Sequence, residues 1–324
     1  MVIDEIVRDL HRDWLAGLPE ARIVTVKATE DTKSLPGVER LCDDIMQAGV
    51  TRAVTLVAVG GGVIQDVVGF LASILYRGVD WAYVPTTLLA QADSCIGSKT
   101  SINHRGFKNL LGTMKAPTLV VIDPAFVDTL GLADYSSGLG EIAKMHLVAG
   151  PADAEQFEAA LPRLLARDRD AVGVATRRSL EIKRPFVEED EFDRGPRRLL
   201  NYGHCFGHAI ESATEFAVPH GQAVVLGMIL AGLVANGRGY VAADASERLA
   251  HRMLLPLLTD AASAGIGSED AVIAGMRRDK KRTGPGLAVV LPHADGSLTL
   301  NTDVQEDEAR SAIQALPDIL RRTH

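Results

Sequence analysis

The chain has 324 residues, of which 47% are hydrophobic and 23% charged, and a formal net charge of −8. Such a composition can bury large cores and excludes a disordered chain. The acidic balance, with no basic block, argues against a general nucleic-acid binder.

The first fourteen residues (MVIDEIVRDLHRDW) are acidic and amphipathic, unlike a signal peptide. Up to about Leu130, short β-rich runs alternate with helical patterns. Arg22–Val26, Val54–Val59, Trp81–Val84 and Leu119–Ile122 read as buried parallel strands, with helical periodicity over Gly37–Ala48 and Asp66–Tyr76. That alternation predicts a doubly wound α/β domain over residues 1–130. Residues 131–324 read as a mainly helical domain, with helices over Pro151–Lys183, Leu199–Glu215, Gly221–Asn236, Ala243–Ala264 and Val304–Arg322. Strands are expected at Leu287–Leu291 and Leu298–Leu300. The longest apolar run, Ala223–Ala235, is too short to span a bilayer. Cys42, Cys95 and Cys205 lack paired spacing, which fits free thiols in a reducing cytoplasm.

Candidate chemistry begins at LVAVGGGVIQDVVGF, where a strand runs into Gly60-Gly61-Gly62 and then a helix. Such a turn can cradle a pyrophosphate at the helix N-terminus, although a plain tight turn has the same signature. Asp66 could bond a nicotinamide or ribose group, or be an ordinary first-turn acid. Thr86 and Thr87 follow a strand at its ligand-binding end. Asp93, Lys99, Lys108 and Asn109 crowd a polar loop after them. In GLGEIAKMHLV, Glu141 and Lys144 stand three apart on an otherwise apolar helix, as a surface ion pair or as a buried acid in need of a partner such as a metal. The stretch from Arg197 to Gly221 carries His204 and His208 at a four-residue spacing that puts both rings on one helix face. Asn201, three residues before His204, and Arg197, seven before it, fall on the same face. Capping or core imidazoles are the alternative for the histidine pair. With His220, Glu141 and His204 make a two-histidine, one-carboxylate set that leaves an open position, the pattern of a catalytic zinc site.

The stretches GGGVIQDVVGFLASILYRG, VPTTLLAQADSCIGSKTSIN, SSGLGEIAK, RRLLNYGHCFGHAIE, PHGQAV and RRDKK resemble, in order and over nearly the whole chain, the 3-dehydroquinate synthase and sugar phosphate cyclase family. The resemblance implies a Rossmann-like NAD domain followed by a helical metal-binding domain, usually in a homodimer. It puts zinc or cobalt on Glu141, His204 and His220. NAD contacts fall on Glu30, Lys33, Gly60, Gly61, Gly62, Asp66, Thr86, Thr87, Lys108, Phe126 and Thr129. Contacts to a small sugar phosphate fall on Lys99, Asn109, Lys183, Arg197 and one of Lys280 or Lys281, with Arg77 reaching a neighbouring subunit's phosphate site. Lys144, His208, Asp93 and Asn201 are the expected catalytic residues.

Some positions depart from the family pattern. The N-terminal domain is read as lacking the family's first strand and turn. Gln65 replaces a common glycine, GSKTS replaces GGKTG, Asp193 stands for a glutamate, and Cys205 for a threonine. The implied reaction oxidises an alcohol with NAD⁺, eliminates phosphate, returns the hydride and closes a carbocycle, so NAD is not consumed. The expected substrate is 3-deoxy-arabino-heptulosonate 7-phosphate. The alternatives are a secondary-metabolism cyclase acting on sedoheptulose 7-phosphate, a metal-dependent polyol dehydrogenase, and a paralogue without turnover.

Overall fold

A computed structural model describes residues 1–105, 107–263, 265–278 and 286–321. The chain divides into two compact units, Met1–Leu130 and Gly131–His324.

The first unit is built on a five-stranded parallel sheet of order β2-β1-β3-β4-β7. Its strands are β1 (Val2–Asp4), β2 (Val24–Val26), β3 (Thr55–Gly60), β4 (Asp80–Pro85) and β7 (Leu119–Val120). Helices α1 (Glu5–Leu10), α2 (Leu35–Gln47) and α3 (Gly62–Ile74) connect them. The strand missed in the sequence is β1. The N-terminal stretch is helical only from Glu5, and its first apolar pair, Val2 and Ile3, lies buried between β2 and β3. A three-residue strand running straight into a helix is too short to show a period. Chain order reverses at β1, which makes the carboxyl ends of β1 and β3 the topological switch point where doubly wound sheets bind ligands.

An antiparallel hairpin, β5 (Lys99–His104) and β6 (Phe107–Met114), stands where the sequence suggested a polar loop. It packs on α3. Thr100 and Ile102 are buried and Lys99 is exposed, so the period-two alternation exists but a buried threonine disguises it.

The second unit is helical: α4 (Leu132–Ala149), α5 (Pro151–Leu165), α6 (Arg169–Glu189), α7 (His204–Ala213), α8 (His220–Gly237), α9 (Ala243–Leu249), α10 (Asp260–Ser263), α11 (Glu269–Arg277) and α12 (Glu306–Arg321). A hairpin of β8 (Leu287–Pro292) and β9 (Leu298–Val304) completes it. Three helices expected as single pieces are broken, the Leu199–Glu215 run among them, since it opens in a 3-10 turn to Asn201 and α7 begins only at His204. The Pro151–Lys183 run divides between α5 and α6, because Arg167 turns with φ +57° and Asp168 caps α6 through Ala171 N–H. The Ala243–Ala264 run becomes α9, a π turn, a 3-10 turn at Leu255–Leu257 and α10.

Helix α8 is the axis of this unit, packed by α4, α7 and α12. It is apolar all round, the mark of a buried helix. At 18 residues it is longer than the run Ala223–Ala235 and meets the length and composition of a membrane span, but 78% of that window is buried within the protein.

Candidate metal and dinucleotide sites

Three elements of the second unit bring Glu141, His204 and His220 together. Glu141 sits mid-way along α4, His204 opens α7 and His220 opens α8. Close helix approach makes this possible. A Cβ on Gly221 would lie 1.8 Å from the Ser137 carbonyl oxygen, one on Gly140 2.4 Å from that of Gly221, and one on Gly227 2.0 Å from that of Gly203. The glycines near the histidines therefore serve backbone-to-backbone contact between helices.

Glu141 is fully buried, and its Oε1 lies 3.7 Å from His204 Nε2 and 3.4 Å from His220 Nε2. A tetrahedral ion with bonds of about 2.0–2.2 Å spaces its ligand atoms roughly 3.3–3.6 Å apart. The residues thus fit a metal, with spacings on or just outside that range. The other carboxylate oxygen, Oε2, accepts from Lys144 Nζ at 2.5 Å, and both side chains are buried. Between the two readings of the Glu141–Lys144 pair, the surface ion pair is excluded. His146 points away and donates through Nδ1 to the Asp153 carbonyl.

The imidazoles are oriented from behind. His204 Nδ1 donates to the Tyr202 carbonyl at 3.2 Å, and His220 Nδ1 lies 3.0 Å from Glu211 Oε2. Burial disfavours charge on His220, but Glu141 and Glu211 outweigh it and lift the pKa to about 10. Metal binding would displace that proton. His208 is exposed, its ring centroid 5.3 Å from that of His204 and 5.8 Å from that of His220. The shared face read from the spacing therefore exists for the two histidines.

It does not extend to Arg197 and Asn201. These belong to a separate 3-10 turn, Pro196–Asn201, and Gly203, at φ +77°, breaks the chain before α7. Asn201 still lines one pocket with His204, His208 and Cys205, and Arg198 lines it rather than Arg197. Arg197 is buried, with Nη1 donating to the Glu191 carbonyl at 2.7 Å. Among the described residues no ion pair to its side chain is found, although its charge helps lower the Asp190 pKa. Its backbone N–H bonds Asp190, not Asp193. Lys183 is buried on α6. Lys280 and Lys281 lie outside the described residues.

In the first unit the candidate dinucleotide residues gather at the carboxyl ends of strands. Glu30 and Lys33 follow β2, Gly60–Gly62 close β3 and open α3, Thr86 and Thr87 follow β4, and Phe126 and Thr129 follow β7. Of the three glycines only Gly62 faces open space. A Cβ on Gly60 would strike Ile64, and one on Gly61 would meet Thr87 at 2.9 Å. No side chain caps the α3 N-terminus, so its amides are available to an anion. Lys33 Nζ lies 2.5 Å from Asp66 Oδ2, and Ser101 N–H donates to Asp66 Oδ1 at 2.8 Å. Burial raises the Asp66 pKa against the pull of Lys33. Lys108 is 3.4 Å from Glu30, and Asn103 donates to Glu30 at 2.7 Å. Asn103 and Ser101 are members of this network that the sequence reading passed over; the outward alternation of β5 was their signal.

Phe126 is buried, its ring edge-on to His11 and Trp14, while Thr129 is exposed and bonds His11. Lys99 and Asn109 are exposed on the hairpin, Asn109 at φ +52°. Asp93 lies in a π turn after β4. Arg77 is exposed after α3, at φ +70°. Gln65 exchanges hydrogen bonds with Ser94, its amide donating to the Ser94 carbonyl and accepting from the Ser94 hydroxyl, both at 2.6 Å. A glycine there could make neither bond.

The chain resembles known proteins over most of its length. The family profile described as 3-dehydroquinate synthase N-terminal matches residues 23–137, and that described as 3-dehydroquinate synthase C-terminal matches residues 138–282. The 3-dehydroquinate synthase of Cereibacter sphaeroides is 38% identical over 324 residues, spanning 97% of this chain and 87% of the relative. That of Alkaliphilus metalliredigens is 36% identical, over 92% of this chain and 84% of its own. Among solved structures, the 2-epi-5-epi-valiolone synthase of Streptomyces hygroscopicus, with NAD⁺ and Zn²⁺ bound, superposes with a TM-score of 0.82 at 29% identity, over 98% of this chain and 90% of that one. The chain belongs to the 3-dehydroquinate synthase family and is an enzyme of it.

Proposed function

We propose that this enzyme is a carbon–oxygen lyase that cyclises 3-deoxy-arabino-heptulosonate 7-phosphate to 3-dehydroquinate with loss of phosphate. The observation that carries the choice of an acid substrate is Arg197, a buried guanidinium held by a backbone carbonyl and not by a carboxylate. An arginine so placed offers the bidentate geometry that recognises a carboxylate.

In this reading Glu141, His204 and His220 hold zinc or cobalt, and the strand-end residues of the first unit hold NAD. When bound, NAD exchanges hydride with a secondary alcohol carbon whose oxygen the metal polarises. The remaining work is done by the chain's own side chains. Lys144 neutralises Glu141 and presents a charge beside the reacting oxygen. His208, exposed next to both metal-ligand imidazoles, carries the proton associated with phosphate loss. Asn201 orients a hydroxyl, while Asp93, Lys99, Asn109, Lys183 and one of Lys280 or Lys281 bind the rest of the substrate. A cytoplasmic homodimer, with exposed Arg77 offered to a partner's phosphate, belongs to the same reading.

The second reading, a cyclase acting on sedoheptulose 7-phosphate, which has no carboxylate, draws on the likeness to the 2-epi-5-epi-valiolone synthase. A panel of heptulose phosphates assayed for phosphate release with NAD and Zn²⁺ decides between them. The acid should release phosphate with no net NADH. Release from sedoheptulose 7-phosphate alone would favour the second reading, and NADH accumulation would favour a polyol dehydrogenase. Release from no substrate would overturn both cyclase readings.

A further inference from the structure

We infer that Glu211 is a positioning residue for the metal centre, fixing the tautomer and aim of His220. The inference rests on the reading of Glu141, His204 and His220 as metal ligands. It adds a residue that touches neither the ion nor the substrate.

Glu211 lies near the end of α7, one helical turn after His208. The chain then reverses sharply, with Glu215 at φ +50° and Phe216 at φ +64°, and returns as the first turn of α8. The reversal is pinned on Glu211 itself. Its carbonyl accepts from Phe216 N–H at 2.8 Å, and Thr214 Oγ1 lies 3.4 Å from the same oxygen. The side chain is thereby held against the start of α8, with Oε2 3.0 Å from His220 Nδ1.

A carboxylate can only accept, so Nδ1 carries the proton of this bond. In the neutral ring Nε2 is then the lone-pair nitrogen, and it is the nitrogen turned towards Glu141 Oε1 at 3.4 Å. His204 reaches the same state by a weaker device, donating Nδ1–H to the neutral Tyr202 carbonyl. An anionic acceptor makes an imidazole a stronger donor to a metal than a neutral acceptor does. The two histidine arms are therefore unequal, and the His220 arm depends on Glu211.

Geometry offers one rival role. His208, Glu211 and His220 also form a group whose potential ligand atoms lie within 4.8 Å of one another, so Glu211 could be a ligand itself. The bond to His220 Nδ1 argues against this, because it commits the carboxylate to the ring's back edge.

The test is Zn²⁺ affinity of chelator-stripped protein, by competition with a chromogenic chelator, together with the visible spectrum of the Co²⁺ form. Wild type, His204→Ala, His208→Ala, Glu211→Ala and Glu211→Gln are compared, each checked by melting temperature. Glu211→Ala should weaken Zn²⁺ binding about 10–100-fold. Glu211→Gln, which keeps an acceptor but not the charge, should recover part of the loss. The Co²⁺ spectrum should keep its tetrahedral form, and His208→Ala should leave affinity unchanged. Unchanged affinity in both Glu211 variants would overturn the inference while leaving the metal reading intact, as would a loss shared equally by His208→Ala with an altered spectrum. If wild type binds Zn²⁺ no better than His204→Ala, the metal reading fails and this inference with it.

Discussion

Under the proposed function, Arg197 is the residue on which substrate choice rests. Its buried guanidinium donates to the Glu191 carbonyl and acts on the Asp190 charge only from beyond ion-pair distance, which is poor compensation for burial. A substrate carboxylate would restore it. A charged hydrogen bond contributes about 1.5–3 kcal/mol, so Arg197→Ala should lower kcat/KM on the acid substrate roughly ten- to a hundredfold. The loss on sedoheptulose 7-phosphate should be much smaller. Parallel losses on both, with a lowered melting temperature, would instead make Arg197 a brace for the 190–197 turn. Spacing alone put Arg197 on the His204 face, whereas Gly203 at φ +77° separates the two. Within a single helix the same reasoning succeeded, because His204 and His208 both lie in α7.

At the scale of elements, the candidate metal ligands are placed by helix contacts and not by their own neighbours in sequence. Gly221 touches the α4 backbone so closely that any Cβ must push α8 outward, and His220 is the residue beside it. Gly221→Ala should therefore weaken metal binding and lower the melting temperature without removing a ligand. Gly237→Ala, at the open end of the same helix, should do neither. Equal behaviour of the two variants would show that the seam is not what sets the site.

A second element-scale expectation concerns His146 on α4. Burial lowers its pKa from 6.5, against the opposing influence of Asp153; the Arg178 charge lowers it further. The unfolded chain then takes up a proton near pH 6.5 that the folded chain refuses. Stability should be full above that pH and fall as pH drops below it. Urea titrations from pH 7 towards 5 should show a shallower decline for His146→Gln than for wild type. An identical slope would assign the pH dependence elsewhere. None of this packing could be read in the sequence, since glycine and histidine carry no hydrophobic period. The strands β3 and β4 could, as short apolar runs bounded by turns, and the helices α2 and α3 could, from their helical periodicity.

For the molecule as a whole, the position of the metal ligands along the chain matters as much as their position in space. Residues 141, 204 and 220 come from three helices, so an ion joining them would close large rings in the polypeptide. Such a tie restricts the unfolded chain, and binding to the native form alone adds stability that grows with the logarithm of metal concentration. Melting of the second unit should accordingly shift upward as Zn²⁺ is titrated into chelator-stripped protein. A melting temperature indifferent to metal would contradict this. The same cross-link has a kinetic side. Removing such an ion would loosen a tie shared by α4, α7 and α8, which stay packed on one another, so amide hydrogens in all three helices should exchange faster together. A centre built for chemistry would thus also act as a clasp, and loss of metal would be recorded by the protein's lifetime as well as by its turnover.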